Sequence, residues 1–87
     1  MIKVIDFYAD WCGPCKIMDP IVKDLEKELD GKVEFEQVDV DADQEKAQEY
    51  GVMSIPTFVI IKDGKEVDRI VGARGKSQFK QLIEVHL

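Results

Sequence analysis

Apolar and polar residues follow two different rhythms along this chain. Ile2 to Phe7 is rich in β-formers and reads as a strand that stops just short of two cysteines. From Gly13 or Pro14 the rhythm turns helical. Ile17, Met18, Ile21, Val22, Leu25 and Leu29 recur at three- and four-residue spacing, with Lys and Glu between them. Proline is tolerated in a first helical turn, and Asp30-Gly31 supplies a stop. Pro20 lies inside the stretch, where it removes the hydrogen bond to the carbonyl of Lys16. The pattern allows one bent helix or two helices broken at Asp19.

Val33 to Val40 reads as a second strand, although Val33 and Phe35 are out of phase with Val38 and Val40. Either both faces are partly buried or a bulge intervenes. Asp41 and Gln44 have the spacing of a capping box, ahead of a short helix to Tyr50 and a stop at Gly51. Thr57 to Ile61 is a continuous β-branched and aromatic run, which suits a central strand buried on both faces. Asp63-Gly64 is a two-residue hairpin signal leading into a fourth strand, Glu66 to Val71. A last helix starts near Lys76 and places Phe79, Leu82, Ile83 and His86 on one face.

The order β-α-β-α-β-β-α predicts a parallel first pair joined by a right-handed crossover, followed by an antiparallel hairpin. The expected fold is α/β: one mixed four-stranded sheet with helices on both faces, with residues 1–87 forming a single domain.

Composition narrows the function classes. Hydrophobic residues make up 45 % of the 87 and charged ones 34 %, the mix of a folded globular chain rather than a disordered one. No apolar run approaches the roughly 20 residues of a membrane span, and the N-terminus lacks the pattern of a signal peptide. The expectation is a soluble cytoplasmic monomer with no membrane partner. Twelve Lys and Arg against eighteen Asp and Glu give a net charge of −6, with no basic stripe for a nucleic-acid backbone.

The only cysteines, Cys12 and Cys15, are poor structural staples. A bridge between them closes a loop worth about 2 kcal/mol in chain entropy, against roughly 3 for a fifteen-residue loop. Their closeness therefore points to chemistry. A thiol at a helix N-terminus meets unpaired N–H groups and the positive end of the dipole, which favour the thiolate. Cys12 is expected to be accessible and activated, and Cys15, one turn in, to be shielded and placed to resolve a mixed disulfide. Two inert core cysteines are the plain alternative. Half of a zinc site is another, but only His86 remains as a further ligand, so no metal is expected.

The residues between the cysteines, Gly13 and Pro14, would occur together by chance roughly once in 300 at average usage. Trp11-Cys12-Gly13-Pro14-Cys15-Lys16 resembles the active-site signature of the thioredoxin family. Ile5-Asp6-Phe7-Tyr8-Ala9, Ile55-Pro56-Thr57 and Gly72-Ala73 match further landmarks in order and approximate spacing, so the resemblance spans the whole chain.

The resemblance implies a thiol–disulfide oxidoreductase on a thioredoxin-like fold. Cys12 would attack a disulfide in a partner protein and Cys15 would release the reduced product. No bound cofactor is implied. A thioredoxin reductase, commonly an NADPH-linked flavoprotein, would restore the dithiol. Gly13, Pro14 and Pro56 would tune the pair. By pattern alone Pro56 suits a strand start, whereas the resemblance implies a cis bond facing the cysteines. By pattern alone Asp6 is either a solvated strand-end acid or a buried carboxyl in an otherwise apolar segment. The resemblance makes it a buried carboxyl that takes the proton of Cys15. Trp11 either covers the core or, as in the family, joins a flat docking surface with Met53, Ser54, Ile55, Gly72 and Ala73.

Two departures stand out. Met1 leads directly into the strand bearing Asp6, so the expectation is a shortened member with four strands instead of five. Gln37 stands where many relatives carry a lysine, so proton handling around Asp6 is expected to differ from theirs. A glutaredoxin-like or isomerase-like oxidoreductase on the same fold, and a non-catalytic binding module, are the rival readings.

Overall fold

A computed structural model describes residues 1–87. It contains β1 (Ile2–Tyr8), α1 (Gly13–Glu28), β2 (Val33–Asp39), α2 (Gln44–Glu49), β3 (Thr57–Lys62), β4 (Lys65–Val71) and α3 (Lys76–Glu84). The strands form one mixed sheet in the order β2-β1-β3-β4, with β1 and β2 parallel and the other pairs antiparallel.

Strand alternation divides the core between the two faces. On one face Ile2 and Val4 of β1 join Val33, Phe58, Ile60 and Ile70, and are covered by α1 and α3. Phe58 and Phe79 meet edge to face with ring centroids 4.6 Å apart. On the other face Ile5, Phe7, Val38 and Val59 are covered by Ala47 and Tyr50, at α2 and its end. This settles the phase conflict in β2. Its pairing with β1 runs without a break from Ile2↔Val33 to Tyr8↔Asp39, so no bulge is present. Val33 and Phe35 serve one core and Val38 the other.

α1 is a single helix with Pro20 inside it, as the one-helix reading expected. Several other local expectations need correcting. Ile17 is exposed, because the buried stripe is the narrower Cys15, Met18, Val22 and Leu25. The cap of α2 is Asp43, whose carboxylate accepts from the Lys46 N–H at 3.1 Å, and not Asp41. α3 ends at Glu84, and the His86 ring pairs with Asp68 at 3.0 Å instead of extending the helical face. The one sheet irregularity lies between β3 and β4, where the register shifts between Ile60 and Ile61. Asp63 and Gly64 both take positive φ, 54° and 82°, as the tight two-residue hairpin requires.

Candidate active site

β1 delivers the chain to the site, and Ala9 to Trp11 turn it into α1. Cys12 is the N-cap of that helix, with extended backbone, and Pro14 occupies the first turn. The Cys12 sulfur accepts the Cys15 backbone N–H at 3.2 Å, taking one of the donors that a helix start leaves free. Cys12 and Cys15 are joined by a disulfide, with Cα atoms 5.2 Å apart.

Both cysteines are buried, Cys12 at 4 % exposure and Cys15 at 6 %, so exposure does not separate them as expected. The bonded sulfurs pack with Ala9 against Tyr8, Val40 and Ile55. Their surroundings do differ. Cys15 walls a cavity of about 140 Å³ together with Tyr8, Ala9, Asp10, Lys16 and Asp19. Cys12 holds the cap hydrogen bond.

The period of two along β1 carries Asp6 to the same face as Ile2 and Val4, beneath α1. It is 4 % exposed. Burial in apolar surroundings pushes its carboxyl up to about 6 from the ordinary 3.8. The Gln37 amide, donating to Asp6 Oδ2 at 3.3 Å, pulls the other way, and the charges of Asp19 and Glu26 add to the rise. Gln37 can reach because it is the register partner of Asp6 across the parallel pair. The departure from lysine therefore leaves Asp6 with a neutral donor, and not with none. The same nitrogen lies 3.4 Å from Asp19 Oδ1.

Pro56 is buried, and the Ile55–Pro56 peptide is cis, as the resemblance implied. The Pro56 carbonyl accepts the Gly72 N–H at 2.9 Å, which brings the Gly72-Ala73 turn beside it. Gly72 has φ +91°, a backbone conformation that a side chain there would strain. Trp11 (70 % exposed) and Met53 (97 %) stand out from the surface near the cysteines. Between them runs an apolar groove of about 180 Å³, lined also by Val40, Val52 and Ile55. Trp11 does not cover the core. Its indole N–H donates to Asp41 Oδ2 at 2.8 Å, which holds the ring out over the groove.

Gly13, Pro14, Ser54 and Ala73 are exposed, and Ile55 and Gly72 are half-buried. Sequence reasoning missed Asp19 and Asp41. The link from Gln37 to Asp6 was open to register counting, since residues 6 and 37 align once the two strands are paired. No local signal joined Asp41 to Trp11, thirty residues away. No group of three His, Cys, Asp or Glu side chains gathers as a metal site, and no helix is long and apolar enough to cross a membrane.

The family profile described as Thioredoxin matches residues 1–85. The thioredoxin of Bacillus subtilis is 43 % identical over 86 residues, covering 99 % of this chain and 83 % of the relative. Among solved structures, the Fasciola hepatica thioredoxin superposes with a TM-score of 0.91 at 49 % identity, over 99 % of this chain and 81 % of its own. The oxidised form of mitochondrial thioredoxin 3 from Saccharomyces cerevisiae gives 0.88 at 40 % identity, over 97 % and 77 %. With likeness in sequence and in backbone running through nearly every residue, and a bonded cysteine pair at the start of its first helix, the chain belongs to the thioredoxin family of thiol–disulfide oxidoreductases.

Proposed function

We propose that residues 1–87 act as one domain, a monomeric dithiol carrier that reduces disulfides of partner proteins in the cytoplasm and needs no bound cofactor or metal. The observation that carries this reading is the Cys12 sulfur at the helix cap, accepting a backbone N–H beside its bonded partner Cys15. That hydrogen bond, with the helix dipole behind it, favours a thiolate once the pair is reduced.

In the first step the Cys12 thiolate attacks one sulfur of a substrate disulfide. A Cys12–substrate bond forms, and the other substrate sulfur leaves as a thiolate. In the second step Cys15 gives its proton to Asp6, and the Cys15 thiolate attacks the Cys12 sulfur. The Cys12–Cys15 bond forms and the second substrate sulfur departs. Two electrons pass from the dithiol to the substrate. A carboxyl near 6 suits the proton transfer, because it is ionised at neutral pH yet holds a proton better than a solvated acid. Gly13, Pro14 and Pro56 frame the pair, and Trp11, Met53, Ser54, Ile55, Gly72 and Ala73 receive the substrate chain.

The electron source tests the function. An NADPH-linked thioredoxin reductase is expected to sustain reduction of a disulfide-bonded protein, and glutathione alone to be a poor substitute. The reverse result would favour a glutaredoxin-like role. A reduction potential near those of oxidising family members would favour an isomerase-like one. A disulfide substrate that leaves the thiol count unchanged would leave only a binding module.

Docking has its own check. Trp11 is largely exposed and its loss opens no cavity in the core, so Trp11→Ala is expected to fold normally. An aromatic anchor of an interface contributes about 2 kcal/mol, so kcat/KM for a protein disulfide should fall roughly 30-fold. Reduction of a small-molecule disulfide should change little. Equal losses for both substrates would place Trp11 in the chemistry rather than in docking.

A further inference from the structure

We propose that Asp19 is a positioning residue for Asp6, acting through the side-chain amide of Gln37 that the two carboxylates share. Gln37 Nε2 lies 3.3 Å from Asp6 Oδ2 and 3.4 Å from Asp19 Oδ1. An amide nitrogen carries two hydrogens, so it can donate to both at once. Both distances lie just beyond the usual limit of about 3.2 Å, as when one side-chain amide is stretched between two acceptors that hold it from opposite sides.

The place of Asp19 makes this more than a surface contact. It walls the 140 Å³ cavity that also exposes Cys15. A cavity of that size has room for several waters. Among the residues walling it, Asp19 alone hydrogen-bonds to Gln37. Asp19 thus touches both the cavity that Cys15 helps to wall and the donor that holds Asp6.

An ionised Asp19 acts on Asp6 in two ways. It is a like charge, which disfavours a second carboxylate nearby. It also pulls the Gln37 amide off the Asp6 carboxylate, which lengthens the one side-chain hydrogen bond that favours ionised Asp6. Both keep Asp6 a stronger proton acceptor. The other groups facing Asp6 do not oppose this. Glu26 of α1 adds negative charge, β2 presents the neutral Gln37, β3 presents Phe58, and the Tyr8 hydroxyl is neutral at working pH. Lys16 lines the cavity but makes no ion pair with Asp19.

This inference deepens the proposed role of Asp6, and it is tested by a measurement that does not depend on turnover. Asp19 and Gln37 are exposed, so Asp19→Asn and Gln37→Leu should keep the fold. The Asp6 carboxyl carbon is followed by NMR titration in the oxidised protein. Asp19→Asn should lower the Asp6 midpoint by about half a unit or more, and Gln37→Leu should raise it. In the Gln37→Leu background, Asp19→Asn should have a clearly smaller effect, since the shared donor is gone. The pH profile of mixed-disulfide release should move in step with the midpoint. An unmoved midpoint in Asp19→Asn, or the same shift with and without Gln37, would overturn the proposal. Midpoints that move as expected while release stays independent of pH would leave the positioning intact and remove Asp6 as the base.

Discussion

Cys15→Ser is expected to convert turnover into one arrested event. Each protein should capture about one equivalent of a disulfide substrate as a covalent adduct and then stop. Cys12→Ser should form no adduct and reduce nothing. The difference follows from the order of the two displacements. With Cys12 present, the first attack needs only its thiolate, which the Cys15 N–H and the helix start still favour. The resulting mixed disulfide has no second thiol beside it, because the chain holds only two cysteines. With Cys12 absent, the remaining thiol stands inside the first turn without the cap position, on a residue that walls the cavity beside Asp19. Neither variant should fail to fold for lack of the bridge, since so short a loop contributes only about 2 kcal/mol. Mass spectrometry of each variant after mixing with an oxidised protein substrate separates the cases. Trapping by Cys12→Ser together with turnover by Cys15→Ser would exchange the two roles.

The parts of this arrangement that were legible in the sequence are those set by short-range rules. The continuous β-forming runs of β1 and β3, the helical stripe through Met18, Val22 and Leu25, and the Asp63-Gly64 turn each depend on a few neighbours, and all three are found. The cysteine spacing is equally local. Errors arose where tertiary contacts choose between local options. Asp41 and Asp43 both suit an N-cap, and Asp41 is instead held by the indole of Trp11. Ile17 fits the helical period but falls outside the arc that the sheet covers. The phase conflict in β2 needed both layers of helices before it made sense. Asp6 is the instructive middle case. Its burial was left open by the pattern and favoured by the resemblance, yet its sheet partner could be counted from the strands. The link onward to Asp19 depends on how α1 lies across the sheet, which no pattern along the chain encodes.

Stability against pH gives the second large effect, through the same carboxyl. The folded chain holds the Asp6 proton up to about pH 6, whereas an unfolded chain gives it up near 3.8. Well below pH 3.8 the group is protonated in both states and its burial carries no ionisation cost. As pH rises from there, the unfolded chain ionises first and gains relative stability. The folded chain follows only as pH passes about 6, and above that the difference is complete. A rise of about two units corresponds to about 3 kcal/mol lost across this window. That is a large share of the net stability of a small domain. Asp6→Asn keeps the size and a polar acceptor for Gln37 but cannot ionise. Its stability relative to the parent should therefore climb by about 2.5 kcal/mol between pH 4 and pH 7.5, measured by chemical denaturation of both oxidised proteins. Other carboxylates cancel in that difference, including Glu28, which Lys76 and Lys80 hold down near 2. Over the same range Asp6→Asn should release mixed disulfides more slowly than the parent, because Cys15 has lost its proton acceptor. The variant would then be the more stable protein and the poorer catalyst. A stability difference that stays level from pH 4 to pH 7.5 would mean that Asp6 ionises as freely in the folded chain as in the unfolded one, leaving it no advantage over a surface aspartate as the acceptor for Cys15.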